Sequence, residues 1–233
     1  MSSLNSSIDN SSDHASDETH DSFHGKLTND FNTYAPTNNE RALNIPTRSA
    51  LRLHKPVPVI GWGAFKIGRN LGAKYPKAFE IPSEPEALAL IHQLMNDGVC
   101  LFDTAPAYGL SEERLGKVFA KITPTQRDHL FISTKVGETF VDGASHFDFS
   151  SAAVTRSIQH SLRALHCESV DAVFVHSSGN DLDILQDSGC VQALDELKKQ
   201  SLIGSIGFSS KTILGSSVPL ASGFFTNTAL PSE

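Results

Sequence analysis

Four residues suited to proton chemistry stand at comparable points along the chain. Asp103, with Tyr108 five residues later, follows the apolar run Val99 to Phe102, while Lys135 closes the run Leu130 to Thr134 and His176 the run Val170 to Val175. A carboxylate, a phenol, an ammonium and an imidazole can each donate, accept or carry charge. A further run, Ile203 to Phe208, ends in Ser209-Ser210. Positions 103, 135, 176 and 209 are 32, 41 and 33 residues apart, the length of one strand-plus-helix unit. Taken singly, each residue has an ordinary explanation: a turn cap, a solvated lysine, a satisfied core histidine. Together, at the same end of consecutive strands, they define one candidate site, because the carboxyl edge of an open α/β sheet or barrel is where its chemistry gathers.

The elements that would carry these residues alternate. Strands are expected over 58–65, 99–103, 130–134, 170–175 and 204–208, as continuous apolar runs suited to a parallel sheet covered on both faces. In the first, Gly61 and Gly63 suggest a backbone that passes close to another segment. Ser83-Glu84-Pro85-Glu86 has the form of a capping box, and Leu88, Ile91, Leu94 and Met95 continue it as a helix ending near Gly98. Leu115, Val118, Phe119 and Ile122 mark a second helix, with Ser111 as its N-cap and Glu112 and Glu113 in its first turn. Val154, Ile158, Leu162 and Leu165 mark a third helix, and Val191, Leu194 and Leu197 a fourth with Lys198 and Lys199 in its last turn.

Composition excludes several classes of function. Of 233 residues, 39% are hydrophobic, enough to bury a core. Residues 1–50 form a Ser/Asp-rich segment with seven acidic against three basic residues, carrying −4 of the formal −7, and are expected to be a disordered tail. The folded part is expected to start near Pro56 and run to residue 211, followed by an irregular segment over 212–233. Neither part offers the basic surface that nucleic acid needs. No apolar run approaches the roughly 18 residues of a membrane span, and no secretory or transit signal is evident, so a cytoplasmic protein without membrane partners is expected. Cys100, Cys167 and Cys190 lack a CxxC arrangement, and His14, His20 and His24 are irregularly spaced, so reduced thiols and no metal site are expected.

The combination of Gly61-Trp62-Gly63-Ala64-Phe65, Asp103-Thr104-Ala105-Pro106-Ala107-Tyr108-Gly109 with Ser111-Glu112 and Leu115-Gly116, Ser133-Thr134-Lys135, Val173-Phe174-Val175-His176 and Ile206-Gly207-Phe208-Ser209 resembles the aldo-keto reductase family. The stretch from Phe65 through Tyr75-Pro76 resembles a bacterial-type subgroup of it. The resemblance implies a (β/α)8 barrel that uses NADP(H), less often NAD(H), to interconvert a small carbonyl or sugar-like compound and its alcohol. It casts Tyr108 as general acid, Lys135 and Asp103 as its partners, and His176 as the residue that orients substrate. It also implies cofactor contacts from Gly63, Ala64, Ser209 and Ser210, and substrate contacts from Trp62 and Phe65. Ser210 departs from the Ser-Asn pair usual in the family, which puts its contact in doubt. The chemistry agrees with the casting: a phenol with an ordinary pKa of about 10 is a poor acid at neutral pH, and an ammonium held beside it by a carboxylate favours the phenolate.

The family continues after the equivalent of Lys211 with three more strands, which hold the cofactor's phosphates. The fold expected here is therefore an incomplete barrel of about five βα units, and two readings follow. One is an NAD(P)H-dependent oxidoreductase; the other is an inactive remnant or interaction module derived from one.

Overall fold

Local sequence explains where the main helices begin. Ser83 and Glu86 form the expected capping box, the Ser83 amide donating to Glu86 Oε2 at 2.8 Å, and open helix α1 (Glu84–Asn96). Its stripe of Ala87, Ile91 and Met95 is buried. Helix α2 (Ser111–Phe119) starts at its expected cap, one residue early. Leu110 occupies the cap position, and Ser111 is instead a fully buried first-turn residue whose hydroxyl donates to the Ala64 carbonyl at 3.0 Å and meets Thr104 Oγ1 at 2.8 Å. Ile122 falls beyond the end of α2. Short α3 (Pro124–His129) has its own capping box from Thr123 and Gln126, and α4 (Ser151–Ala164) is capped by Ser150. Two further helices, α5 (Asp181–Gln186) and α6 (Cys190–Lys199), precede the strand that carries Ser209.

The computed structural model describes residues 44–49, 53–72, 75, 77–213, 215, 217 and 227–229. Most of the 1–50 segment expected to be a tail lies outside the described residues. Its end is already structured: β1 (Thr47–Arg48) pairs antiparallel with β2 (Val57–Pro58), so regular backbone begins before Pro56. The strand expected over 58–65 is divided. Val57–Pro58 serves β1, whereas β3 (Trp62–Gly63) joins the main sheet and Ala64–Ile67 is a 3-10 turn. Gly61 lies at the break, where an added Cβ would stand 2.2 Å from Leu101 Cδ2.

Six parallel strands make that sheet, in the order β3, β4 (Leu101–Asp103), β5 (Phe131–Val136), β8 (Val170–His176), β9 (Ile203–Ser209) and β10 (Asn227–Ala229). Between β5 and α4 runs an antiparallel hairpin, β6 (Glu138–Val141) and β7 (Ala144–Phe147). All six residues of β5 are buried, as a central strand covered on both faces requires. The segment 212–233, expected to be irregular, contributes β10, which pairs parallel with Gly207 to Ser209. Its Asn-Thr-Ala sequence has no apolar run to announce a strand. No helix among the described residues is long and apolar enough to cross a membrane.

Helices α2 and α4 touch at backbone level through Gly116. A Cβ at that position would lie 1.8 Å from the Ala164 carbonyl oxygen and 2.9 Å from its carbon. Gly116→Ala gains about 1 kcal/mol of helix propensity but drives a methyl group into backbone, for which overpacking costs of about 1–3 kcal/mol are usual. The clash wins because the obstructing atom is main chain and cannot rotate away. A lower urea midpoint at unchanged m-value is the expected outcome; an unchanged or higher midpoint would show that α2 can move off α4.

Candidate active site

The strand register brings the four expected groups to one edge. Gly63 is opposite Asp103 and Asp103 opposite Ser133, Lys135 is opposite Phe174, and His176 is opposite Ser209, all at the carboxyl ends of neighbouring strands. Lys135 is the centre of the group. Its Nζ donates to Asp103 Oδ2 at 2.5 Å and to the Thr104 carbonyl at 3.0 Å, and lies 4.7 Å from the centroid of the Tyr108 ring. The second oxygen of Asp103 accepts from Ser133 Oγ at 2.7 Å. Burial by itself would weaken the Lys135 ammonium, but Asp103 and Tyr108 outweigh it and hold the group above the usual lysine range. Lys135 therefore remains a cation although it is only 9% exposed.

Tyr108 is placed by the turn that carries it. It ends a 3-10 turn, Pro106–Tyr108, whose Ala107 carbonyl accepts from Arg69 Nη1 at 2.9 Å. The turn rests on Gly68, where a Cβ would stand 2.0 Å from the Tyr108 carbonyl oxygen, so a side chain there would displace the phenol. Phe65 meets the Tyr108 ring edge to face at 5.1 Å, and His176 meets it at 6.4 Å. Below them Glu112 is buried, its carboxylate accepting from Thr134 Oγ1 at 2.6 Å, and desolvation raises its pKa.

A cleft of about 540 Å³ opens over Tyr108 and His176, walled by Phe65, Tyr75, Phe147 and Arg69. Phe65, expected to contact substrate, lines the cleft. Trp62 does not line it, and packs edge-on against Phe102 at 6.1 Å. Ala64 is fully buried with its carbonyl engaged by Ser111, whereas Gly63 has nothing within 4 Å of where a Cβ would stand. Ser209 is partly open beside His176, and Ser210 is buried.

The sequence reading missed Glu138 and Arg69. Glu138 is 8% exposed and brought in by the β6–β7 hairpin. Its Oε1 accepts from Ser145 Oγ at 2.6 Å and lies 3.6 Å from Arg69 Nη1, and its Oε2 lies 2.9 Å from His176 Nδ1. That last approach is close but off the axis of a ring N–H, so it is a polar contact rather than an aligned hydrogen bond. The signal for the hairpin was Asp142-Gly143, whose positive φ values of 52° and 80° suit a two-residue turn. Nothing in sequence linked it to His176.

Burial by itself would raise the Glu138 carboxyl, but His176 and Ser145 outweigh it and hold the group down to about 2. A carboxyl depressed on folding adds stability that is complete above its ordinary value of 4.5 and is lost as pH falls through about 2. Between those limits the native chain should lose stability faster on acidification than Glu138→Gln, which has no proton to take up. Parallel urea midpoints for the two from pH 4.5 down to pH 2 would contradict the pairing.

Comparison with known proteins follows the same lines. The model of the aldo/keto reductase family matches residues 59–216. The chain is 29% identical over 177 residues to D-threo-aldose 1-dehydrogenase of a Pseudomonas species, covering 66% of this chain and 50% of that protein. It is 33% identical over 154 residues to L-galactose dehydrogenase of Arabidopsis thaliana, covering 65% and 44%. A crystal structure from Pseudomonas aeruginosa, assigned to the aldo-keto reductases, superposes with a TM-score of 0.64 at 43% identity, covering 73% of this chain and 62% of that one. The chain spans about half the length of the curated relatives it matches.

Proposed function

The chain belongs to the aldo/keto reductase family, and on that premise we propose that it serves as an NAD(P)H-dependent oxidoreductase, interconverting an aldehyde or ketone and an alcohol with Tyr108 as general acid. The observation that carries this reading is the Lys135 ammonium, held by Asp103 at 2.5 Å and lying 4.7 Å from the Tyr108 ring. The dehydrogenases it is similar to are named for an aldose and for galactose, which supports a sugar-like substrate and favours an enzyme over an interaction module.

The residues at the sheet edge fit the nicotinamide end of such a cofactor. Ser209 offers a partly open hydroxyl beside His176, and the ground above Gly63 is unobstructed. Ser209, with Ser210 next to it, would hold the ring's carboxamide; Gly63 and Ala64, on and just after β3, would contribute packing. NADP(H) is expected ahead of NAD(H). When bound, the nicotinamide supplies or accepts the hydride.

The chain's own residues then handle the proton. In reduction, the Tyr108 hydroxyl donates to the oxygen that gains negative charge, and the positive charge of Lys135 stabilises the phenolate left behind. Asp103, fixed at both oxygens by Lys135 and Ser133, keeps that ammonium in place. His176 holds the substrate oxygen from the other side, and Phe65 covers an apolar face of the cleft. Oxidation of an alcohol runs the same transfers backwards.

The test uses two proteins, because the chain spans about half of its relatives. One is the 233-residue chain itself; the other is a chimera in which residues 59–216 replace the matching segment of the D-threo-aldose dehydrogenase. NADPH and NADH are titrated by fluorescence, and aldose oxidation and small-aldehyde reduction are followed at 340 nm. The chimera should bind more tightly than the chain alone, since each charge-assisted phosphate contact supplied by the relative is worth about 1.5–3 kcal/mol. A folded chimera that binds NADPH but turns over neither substrate class would overturn the reading.

A further inference from the structure

Besides His176, the charged side chains lining the cleft over Tyr108 are Arg69, Glu138 and Lys211. The first two oppose each other. Arg69 Nη1 lies 3.6 Å from Glu138 Oε1, and the guanidinium also serves the Leu71 and Ala107 carbonyls at 2.7 and 2.9 Å. Their charges cancel within one wall. Lys211 is exposed, and among the described residues it has no carboxylate partner. Its ammonium lies 5.3 Å from the centroid of Phe147, an aromatic residue that β7 brings to the same cleft. The cleft is thereby left with one uncompensated cation, carrying three N–H donors that a ligand can use.

The backbone beneath that cation is fastened. Asp181, 3% exposed at the start of α5, accepts on Oδ2 from the Lys211 amide at 3.3 Å, the Thr212 amide at 3.0 Å and Thr212 Oγ1 at 2.6 Å, and on Oδ1 from Ser177 Oγ. One buried carboxylate thus ties the segment after β9 to the loop after His176. Lys211 leaves a fixed point, so only its side-chain freedom is lost when it takes a ligand.

We propose that Lys211 reads a carboxylate on the substrate, so that the cleft selects an acidic sugar, its carbonyl at Tyr108 and its carboxylate against the ammonium. This narrows the substrate class of the reductase reading and rests on that reading. The reaction keeps its balance: R–CHO, NADPH and a proton give R–CH2OH and NADP+, and the carboxylate takes no part. A cleft of about 540 Å³ is large enough for a single sugar. The chain as a whole carries a formal −7, so an acidic ligand gains nothing from the overall field and any preference for it has to come from a local cation. A cofactor phosphate offers an ammonium the same chemistry. The substrate carboxylate is favoured because Lys211 shares its cleft with Tyr108 and with Phe65 and Tyr75, the aromatic wall of the substrate side.

The first arm of the test needs no turnover. Dissociation constants of D-gluconate and sorbitol, which differ by a carboxylate in place of a terminal CH2OH, are measured on the full 233-residue chain by ligand-observed NMR. Gluconate should bind about tenfold more tightly, the usual effect of one charge-assisted contact at an open site. Lys211→Met should erase the difference and Lys211→Arg keep most of it. Equal affinities, no gluconate binding, or a preference that survives in Lys211→Met would each overturn the proposal. The second arm uses the chimera, whose transplanted segment contains Lys211. There Lys211→Met should lower kcat/KM for D-glucuronate relative to D-glucose by about tenfold, chiefly through KM, with the NADPH Kd within about twofold. A weakened NADPH Kd at an unchanged glucuronate-to-glucose ratio would assign Lys211 to a cofactor phosphate and overturn the proposal. A chimera without turnover defeats the catalytic reading alone, and the gluconate arm then decides whether Lys211 reads a carboxylate.

Discussion

Tyr108→Phe is expected to lower turnover of the chimera by about 10²–10⁴-fold, the usual worth of a positioned general acid, and to leave its folding and NADPH affinity nearly untouched. The substitution removes one oxygen and keeps the ring, so the edge-to-face contacts with Phe65 at 5.1 Å and His176 at 6.4 Å remain. The turn that carries residue 108 is fixed by Arg69 and by the close pass of Gly68, neither of which touches the hydroxyl. Lost turnover at constant urea midpoint and constant NADPH Kd therefore isolates the proton transfer. Lys135→Met should also suppress turnover, but with an added structural cost, since it strips Asp103 of its 2.5 Å partner and leaves the Thr104 carbonyl unsatisfied. The two effects should not add, because both remove parts of one device. A Tyr108→Phe protein within tenfold of the parent would mean that another group delivers the proton, and Lys135, 4.7 Å from the ring centroid, would be the nearest candidate.

Legibility in the sequence followed how local each signal was. Asp103, Lys135 and His176 could be read because each sits at or near the end of a strand, where a short apolar run fixes its place without reference to the rest of the fold, and Tyr108 because it follows Asp103 by five residues in the turn after β4. Ser83 and Glu86 were legible for the same reason: a capping box is contained in four residues. Glu138 was not, because its meaning depends on a hairpin folding back over the site to meet His176 and Arg69, 38 residues later and 69 earlier. Trp62 looked like a cleft residue from its place beside Phe65. Strand register instead sets it against Phe102, its partner on β4, while Phe65 leaves the strand in the 3-10 turn that follows. Ser111 looked like a cap because serine so often is one, and tertiary contacts to Ala64 and Thr104 claimed its hydroxyl. Strand β10 escaped notice because a three-residue polar strand owes its existence to the ladder beside it rather than to its own residues.

The largest loss of stability is expected far from the cleft, at Asp171. This residue is second in β8, at the amino end of a strand whose other end carries His176, and it is 5% exposed. Its Oδ2 accepts from the backbone amide of Ile132 at 2.7 Å and lies 3.4 Å from Arg127 Nη1. Its Oδ1 meets Lys55 Nζ at 2.5 Å and His54 Nε2 at 3.0 Å. One carboxylate thereby fastens three segments: the stretch before β2, the end of α3 and strand β5. Asp171→Ala leaves a buried amide unpaired, at about 1–3 kcal/mol, and strands two cations against each other. Removing one partner of a buried ion pair costs about 3–5 kcal/mol. Lys55 and Arg127 keep about a quarter of their side-chain surface in water, 25% and 23%, so solvent screening puts the expected loss near the lower end, about 3 kcal/mol. Asp171→Asn retains an oxygen for the Ile132 amide and should lose roughly half as much, which separates the hydrogen bond from the charge. Urea unfolding of the three proteins at low and high salt measures both. Because Asp171 and the Tyr108 cleft stand at opposite ends of the strands, turnover per folded molecule should be unchanged. A loss below about 1 kcal/mol in Asp171→Ala would mean that His54, Lys55 and Arg127 reach other partners or water at little cost, and that the ion cluster does not secure this end of the sheet.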